Sequence, residues 1–365
     1  LPGERQCVMI ADARSAGLPD RLETDLLIIG AGAAGITLAL SLANSGLDII
    51  IAEAGGPKYS AAAQAFYSGE AVEPEGHSPV DMYRRRVFGG STTLWGGRCI
   101  PFGEIDFEDR PWMDHASWPI GHKDVATHIP RAMEILEAGL PEFEAGEALC
   151  GPAPMVDGIF DEDVLLDRIE RFSKPTNFGA RYRAELASAP NIRLFTNAAT
   201  TRILLDDDGS AGGAIIDAGG KPVTIVARRV VIAAGGIETP RLLLAGSPAR
   251  PNGIGNEHDL VGRFYQCHLE GSVGTLHFLT RAEEVRLGYE LSHDGVYCRR
   301  YIALSPHAQR RHRLAGLVVR PSHPGIVDPD HRSPVLSAMY LAKAFIVPEY
   351  ARKMTALEHQ ARARR

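Results

Sequence analysis

The chain has 365 residues, 45% of them hydrophobic and 23% charged, with a formal charge of −6. At roughly 150 residues per domain, this length accommodates about two domains with a large core, and the composition excludes a disordered or fibrous chain. A pI near 6.1 leaves no global positive field to recruit nucleic acid or an anionic membrane, so neither partner is expected.

In chain order, the first residues carry no positive region followed by a long apolar one. No signal peptide is expected, and Met9 reads as the start, with the first eight residues as upstream read-through. Residues 25–29 form a short apolar run that reads as a strand. Glycines follow, then helical spacing over 36–43 with Gly46 as its C-cap, then a second apolar strand over 47–52. The longest apolar stretch, residues 26–42, is broken by glycines and is too short to span a membrane. Residues 55–130 read as long ordered loops, and 128–139 as a helix with Ile129, Met133, Ile135 and Leu136 on one face. Strands are expected near 191–196 and 201–205, a turn-rich segment over 206–220, a buried strand over 228–234 and a helix over 239–244. Strand-like patterns return at 271–278 and 296–304. The basic tail, with Arg352, Lys353, Arg362, Arg364 and Arg365 against Glu349 and Glu358, reads as a solvated helix face. Cys7, Cys99, Cys150, Cys267 and Cys298 are an odd number at scattered spacings, which fits neither a disulfide framework nor a metal knot and points to a reducing compartment.

Three segments carry chemistry. The first is Gly30-Ala31-Gly32-Ala33-Ala34-Gly35 between a strand and a helix, with Glu53 at the end of the next strand, followed by Ala54. Gly30 permits the tight turn, Gly32 lets a pyrophosphate approach the backbone, and Gly35 lets helix and strand pack closely. The helix N-terminus offers free N–H groups to the phosphates, and Glu53 suits ribose hydroxyls while repelling a 2′-phosphate. A glycine-rich turn packed on a helix would explain the glycines alone; the strand, helix and distal acid together point to a dinucleotide. FAD and NAD both fit, and the early position of the unit favours FAD. The second segment, residues 84–98, sets Gly89-Gly90 and Gly96-Gly97 around Ser91, Thr92 and Trp95. Such a loop can lie flat on a planar ligand, with hydroxyls and N–H groups bonding its edges and Trp95 stacking or walling it. The third runs from the strand end at Ala233-Ala234-Gly235-Gly236 into a helix, with Pro240 in its first turn. It offers a further backbone contact to a cofactor, or a plain strand-to-helix turn.

Together these segments resemble the glucose-methanol-choline (GMC) oxidoreductases, especially their bacterial sugar and polyol dehydrogenase-like branch. The resemblance covers nearly the whole chain. It rests on GAGAAG with Glu53; on RVFGGSTTLWGGRCIPF, IDFEDRPWM and SWPI; on FSKPTNFGARYRAEL; on VVIAAGGIETPRLLL; and on GNEHDLVGRFYQCH. It implies an α/β architecture: a discontinuous Rossmann-like FAD-binding domain over 9–110 and 186–270, and an α+β substrate domain with an antiparallel sheet over 111–185 and 271–365. Thr200 would offer backbone contacts to adenine, Gly89 to Thr92 would face the pyrophosphate or flavin, and Ala234-Gly235 would touch the cofactor again. Some relatives tether the flavin through a histidine one residue before the tryptophan, where this chain has Leu94, so non-covalent FAD is expected. The implied activity is oxidation of a sugar, polyol or other alcohol, with an electron acceptor that the residues do not identify.

The family's C-terminal catalytic histidine segment is not found before Arg365, so the catalytic base stays unassigned and a truncated or non-catalytic FAD-binding chain remains an alternative, as does an NAD-dependent dehydrogenase. His268 follows the GRF motif, where a packing role near the domain junction is expected, and Cys99 reads as buried filler. No metal site is expected from the histidine spacings. The location is expected to be cytoplasmic, with the periplasm reachable through a partner subunit by the same resemblance.

Overall fold

Residues 26–29 and 49–51 are runs of Leu and Ile, which suit strands covered on both faces of a parallel sheet. The computed structural model describes residues 9–73, 76–159, 161–246, 250–271, 274, 276, 279, 284–321 and 334–346. Its strands are β1 (Ile10–Asp12), β2 (Arg21–Ile29), β3 (Ile49–Ala52), β4 (Arg98–Cys99), β5 (Val164–Phe172), β6 (Ile192–Thr196), β7 (Ala199–Leu205), β8 (Ala211–Asp217), β9 (Pro222–Ile232), β10 (Tyr289–Leu291), β11 (Tyr297–Leu304) and β12 (Val318–Val319). The fold is α/β, in two units: residues 1–95 with 177–270, and 96–176 with 271–365.

The first unit holds a seven-stranded sheet in the order β1-β6-β3-β2-β9-β8-β7. The strands from β1 to β9 pair in parallel, and β8 and β7 continue the sheet as an antiparallel meander. Leu27, Ile29, Ile50, Ala52 and Phe195 bury one face with Ile203, Ile216 and Ile225 of the meander. On the other face, helix α1 (Ala33–Ser41) buries Gly35, Ile36 and Ala39 against β2 and β3, and the helix Arg183–Ser188 packs on β6 through Leu186. Helix α1 ends at Leu42, so Gly46, at φ +77°, shapes the turn beyond it instead of capping it.

The second unit holds an antiparallel sheet, β10-β11-β5-β4, with β12 on β11. Ile169 and Cys298 pack beneath the short helix Ala145–Ala148. Where the expected boundaries stood at 110/111 and 185/186, the units divide at 95/96 and 176/177. β4 pairs with β5 and so carries residues 96–110 into the second unit, while Phe178–Arg181 packs on the 90–93 turn and draws 177–185 into the first.

Two strands depart from the expected pattern. β8 occupies part of the segment read as turns, because Gly212 and Gly213 run inside a strand; a Cβ on Gly213 would lie 2.0 Å from the Ile225 carbonyl oxygen. β5 escaped the apolar pattern because Glu170 and Arg171, both fully buried, interrupt it. The helix expected over 128–139 spans Ile129–Leu136 and buries Met133 and Ile135. The expected strand at 271–278 falls largely, and the basic tail wholly, outside the described residues. Among the described residues, no helix is long and apolar enough to cross a membrane, no group of three His, Cys, Asp or Glu side chains could hold a metal, and Cys99, Cys150, Cys267 and Cys298 are free thiols.

Candidate functional site

Register brings the first unit's strand ends to one edge. Ile29 is level with Ala52 on one side and Ile232 on the other, and Ala52 is level with Phe195. The ladder runs one step further: Gly30 N–H donates to Ala52 C=O (2.8 Å), Ala233 N–H to Ile29 C=O (2.7 Å) and Glu53 N–H to Phe195 C=O (2.8 Å). Gly30, Glu53 and Ala233-Ala234-Gly235 therefore open side by side at the carboxyl ends of the strands. Here the sheet order reverses, since β3 and β9 flank β2, and such switch points take ligands in open α/β sheets.

At this edge α1 begins with Gly32, which supplies no side-chain cap, and its first turn holds no acidic residue. Its first N–H groups lack intrahelical partners and carry the positive end of the helix dipole. Ala33 and Ala34 are exposed there, whereas Gly35 is buried, and a Cβ on it would lie 2.0 Å from the Gly30 carbonyl oxygen. The close helix–strand packing read for Gly35 is thus what the backbone does.

The second glycine segment lies against the first. Gly89 N–H donates to Ala31 C=O at 2.9 Å, and a Cβ on Gly90, at φ +57°, would stand 2.9 Å from the Gly32 Cα. Phe88 N–H donates to Gly56 C=O (3.0 Å), and a Cβ on Gly55 would lie 2.4 Å from Val87. The Thr92 hydroxyl donates to Gly89 C=O (2.6 Å) and accepts from Phe178 N–H (3.1 Å), which braces the turn. Ser91 is exposed, and its hydroxyl accepts from Arg85 N–H (3.2 Å). The two glycine pairs of this block separate: the chain enters the second unit between half-buried Trp95 and exposed Gly96. There Gly97 serves a close approach to Ser173, whose N–H donates to Gly97 C=O at 2.7 Å.

Glu53 sits at the centre of the first unit's edge. Its Oε2 accepts from Ala31 N–H and its Oε1 from Gly55 N–H, each at 2.7 Å. Burial pushes its carboxyl up to about 7, against the downward pull of these two N–H groups and of the Arg86 guanidinium. A carboxylate offers about four lone-pair sites, so capacity remains for ribose hydroxyls. Beside it, Asn197 N–H donates to Gly55 C=O (2.9 Å) and Ala198 N–H to Glu53 C=O (2.8 Å), which leads into β7 and Thr200. Thr200 is level with Ile216 in the ladder, and its hydroxyl oxygen, like Arg86 Nε, is buried with no partner among the described residues. A buried polar atom without a partner is uncommon, and the Thr200 hydroxyl adds a side-chain group to the backbone contact anticipated there.

Three glycine-bearing turns, a helix N-terminus, a buried acid and an orphaned hydroxyl in one unit suit a dinucleotide. Gly55, Gly56, Gly179 and Arg86 belong to this arrangement although sequence reasoning passed over them. The glycine pair Gly55-Gly56, one residue beyond Glu53, was the available signal.

The family model for FAD dependent oxidoreductases matches residues 25–340. The chain belongs to the FAD-dependent oxidoreductase family. Its dinucleotide is FAD. Comparison with curated proteins finds no match. Among solved structures the chain is similar to pyridoxine 4-oxidase from Mesorbium loti (19% identity, TM-score 0.36, 60% of this chain and 51% of that one) and to formate oxidase (16%, 0.38, 62% and 48%). It is also similar to the open conformation of a flavocytochrome c3 fumarate reductase (16%, 0.36, 61% and 36%). The chain spans about half the length of the two oxidases.

Within this FAD-dependent oxidoreductase, His268 is exposed and not packed. His293 contacts Glu142 (2.7 Å) and His312 contacts Asp163 (3.1 Å), both as surface pairs. Cys99 is buried, and burial pushes its thiol up, which leaves it a poor nucleophile.

Proposed function

We propose that the first unit binds FAD non-covalently and that the protein oxidises a CH–OH group of a sugar, polyol or other alcohol, as in the GMC type. The observation that carries the reading is the convergence of Gly30–Gly35, Glu53–Gly56, Gly89–Thr92 and Ala233–Gly235 on one sheet edge. Bound FAD supplies a two-electron acceptor for the hydride of an alcohol carbon. The chain's own residues bind and orient. The N–H groups opening α1 and the 89–92 turn hold the pyrophosphate, Glu53 accepts from the ribose hydroxyls, and the Thr200 hydroxyl takes its missing partner from the adenosine portion. Ala234 and Gly235 would keep the backbone close to the ring system, with Trp95 beside them. The second unit is assigned to the alcohol. The proton-accepting base is not assigned to any described histidine.

An absorbance spectrum before and after acid precipitation tests the cofactor part. Oxidised-flavin bands released into the supernatant are expected; flavin that stays with the precipitate overturns non-covalent binding. Dye reduction by the coloured protein over a panel of alditols, sugars and sugar acids tests the chemistry, and no reduction by any of them refutes it.

A further inference from the structure

Resting on that reading and narrowing its substrate, we propose that one face of the second unit's antiparallel sheet binds a polyhydroxy acid, of sugar-acid type, through Glu170, Arg299, Arg98 and Arg320. Along β5, Ile169 and Arg171 point to the packed face, so Glu170 points to the other. Glu170 is nevertheless fully buried. Arg98 Nε (3.1 Å) and Arg320 Nε (2.6 Å) both engage its Oε2, while Oε1 has no partner among the described residues. Directly across the ladder stands Arg299, whose buried Nε also lacks one.

An unmatched acceptor and an unmatched donor in adjacent register positions are what a single hydroxyl satisfies, donating to Glu170 Oε1 and accepting from Arg299 Nε. A simple carboxylate has no proton for Glu170. Charge supplies the second requirement. Two guanidiniums, Arg98 and Arg320, share the single Glu170 carboxylate, and Arg299, across the ladder, forms no ion pair among the described residues. The uncompensated positive charge calls for an anionic group on the same ligand. Next to Arg299 in register is Tyr289, which is 60% exposed and forms an edge contact with Phe172 at 5.2 Å between ring centres. These rings give the C–H faces of a sugar chain an apolar wall. A neutral polyol meets the hydroxyl and ring requirements but not the charge.

Isothermal titration of the FAD-loaded protein with gluconate and with sorbitol, which differ at one terminal carbon, reads this directly. Gluconate is expected to bind about tenfold or more tightly than sorbitol. Arg98→Gln, at a side chain that is 43% exposed, should bring the gluconate Kd to within about twofold of the sorbitol Kd of the same variant. Arg299→Gln should weaken both ligands roughly tenfold, and Arg299→Lys, which keeps the charge but not the Nε donor, should do the same for sorbitol. Equal affinity for the two ligands, or a gluconate preference intact in both glutamine variants, overturns the proposal. Binding needs no turnover, so the two readings fail separately. Arginine-dependent gluconate binding without alcohol oxidation refutes the oxidation, and oxidation of alcohols without that dependence refutes this site.

Discussion

Replacing Gly90 by alanine perturbs the cradle where the second glycine segment meets Gly32. The new Cβ would stand 2.9 Å from the Gly32 Cα, on a residue at φ +57°. The left-handed conformation costs a non-glycine residue about 1–2 kcal/mol. Relieving the overlap means moving two loops apart by roughly half an ångström, at about 1–2 kcal/mol more. A loss of about 2–4 kcal/mol corresponds to a Tm lowered by roughly 5–15 °C in a domain of this size. The loops concerned are the ones assigned to the pyrophosphate, so FAD should rescue the variant less than the wild type. Saturating FAD at 100 times its Kd raises stability by about 2.7 kcal/mol, and that increment should shrink in Gly90→Ala. Differential scanning fluorimetry with and without FAD measures both effects. Gly96→Ala is the control, since a Cβ there meets nothing within 4 Å, and it should leave Tm unchanged. A Gly90→Ala protein with wild-type Tm and an undiminished FAD increment would refute the close approach of the two loops.

Thr200→Val removes the orphaned hydroxyl and should leave the FAD-free protein as stable or about 1 kcal/mol more stable, while weakening FAD roughly tenfold by fluorescence titration. The Glu53 carboxyl sits at about 7 against an ordinary 4.5, so the folded state holds the proton more tightly. Stability of the FAD-free protein should therefore fall as pH rises from about 4.5 through 7, by roughly 3 kcal/mol in denaturant titrations, and Glu53→Gln should flatten that slope. In the second unit, burial pushes the Asp294 carboxyl up, but the Ser292 hydroxyl, the Leu140 N–H and the Arg171 guanidinium together hold it at about 2. Its contribution, about 2 kcal/mol, is complete above pH 4 and should be lost as pH falls through 2. Asp294→Ala leaves the fully buried Arg171 without its carboxylate and should cost about 3–5 kcal/mol by chemical denaturation.

Much of the first unit was legible because its strands are covered on both faces and read as unbroken Leu and Ile runs, and because an acid at the end of β3 has few structural reasons to be there. The GAGAAG turn and Glu53 could be placed from spacing. The partners of Glu53 could not, since Ala31 and Gly55 contribute only backbone N–H groups that no side chain betrays. Glycine pairs were ambiguous for the same reason: Gly89-Gly90 serves the cradle, Gly97 serves Ser173, and Gly212-Gly213 lies within a strand. β5 stayed hidden because its buried charges, Glu170 and Arg171, mimic a solvated segment until their arginine and aspartate partners arrive from elsewhere in the chain.

The interleaving of the units has a consequence for how the protein is made. β2 and β9 are neighbours, yet Ala233 leaves the ribosome about 200 residues after Gly30. At 5–20 residues per second that is a wait of roughly 10–40 s. Throughout it β2 has an open, apolar edge, the kind of strand border that pairs with wrong partners. The FAD cradle is therefore a late product of synthesis, completed only after β4 and β5 have emerged, and the nascent chain needs protection in the interval more than the finished protein does.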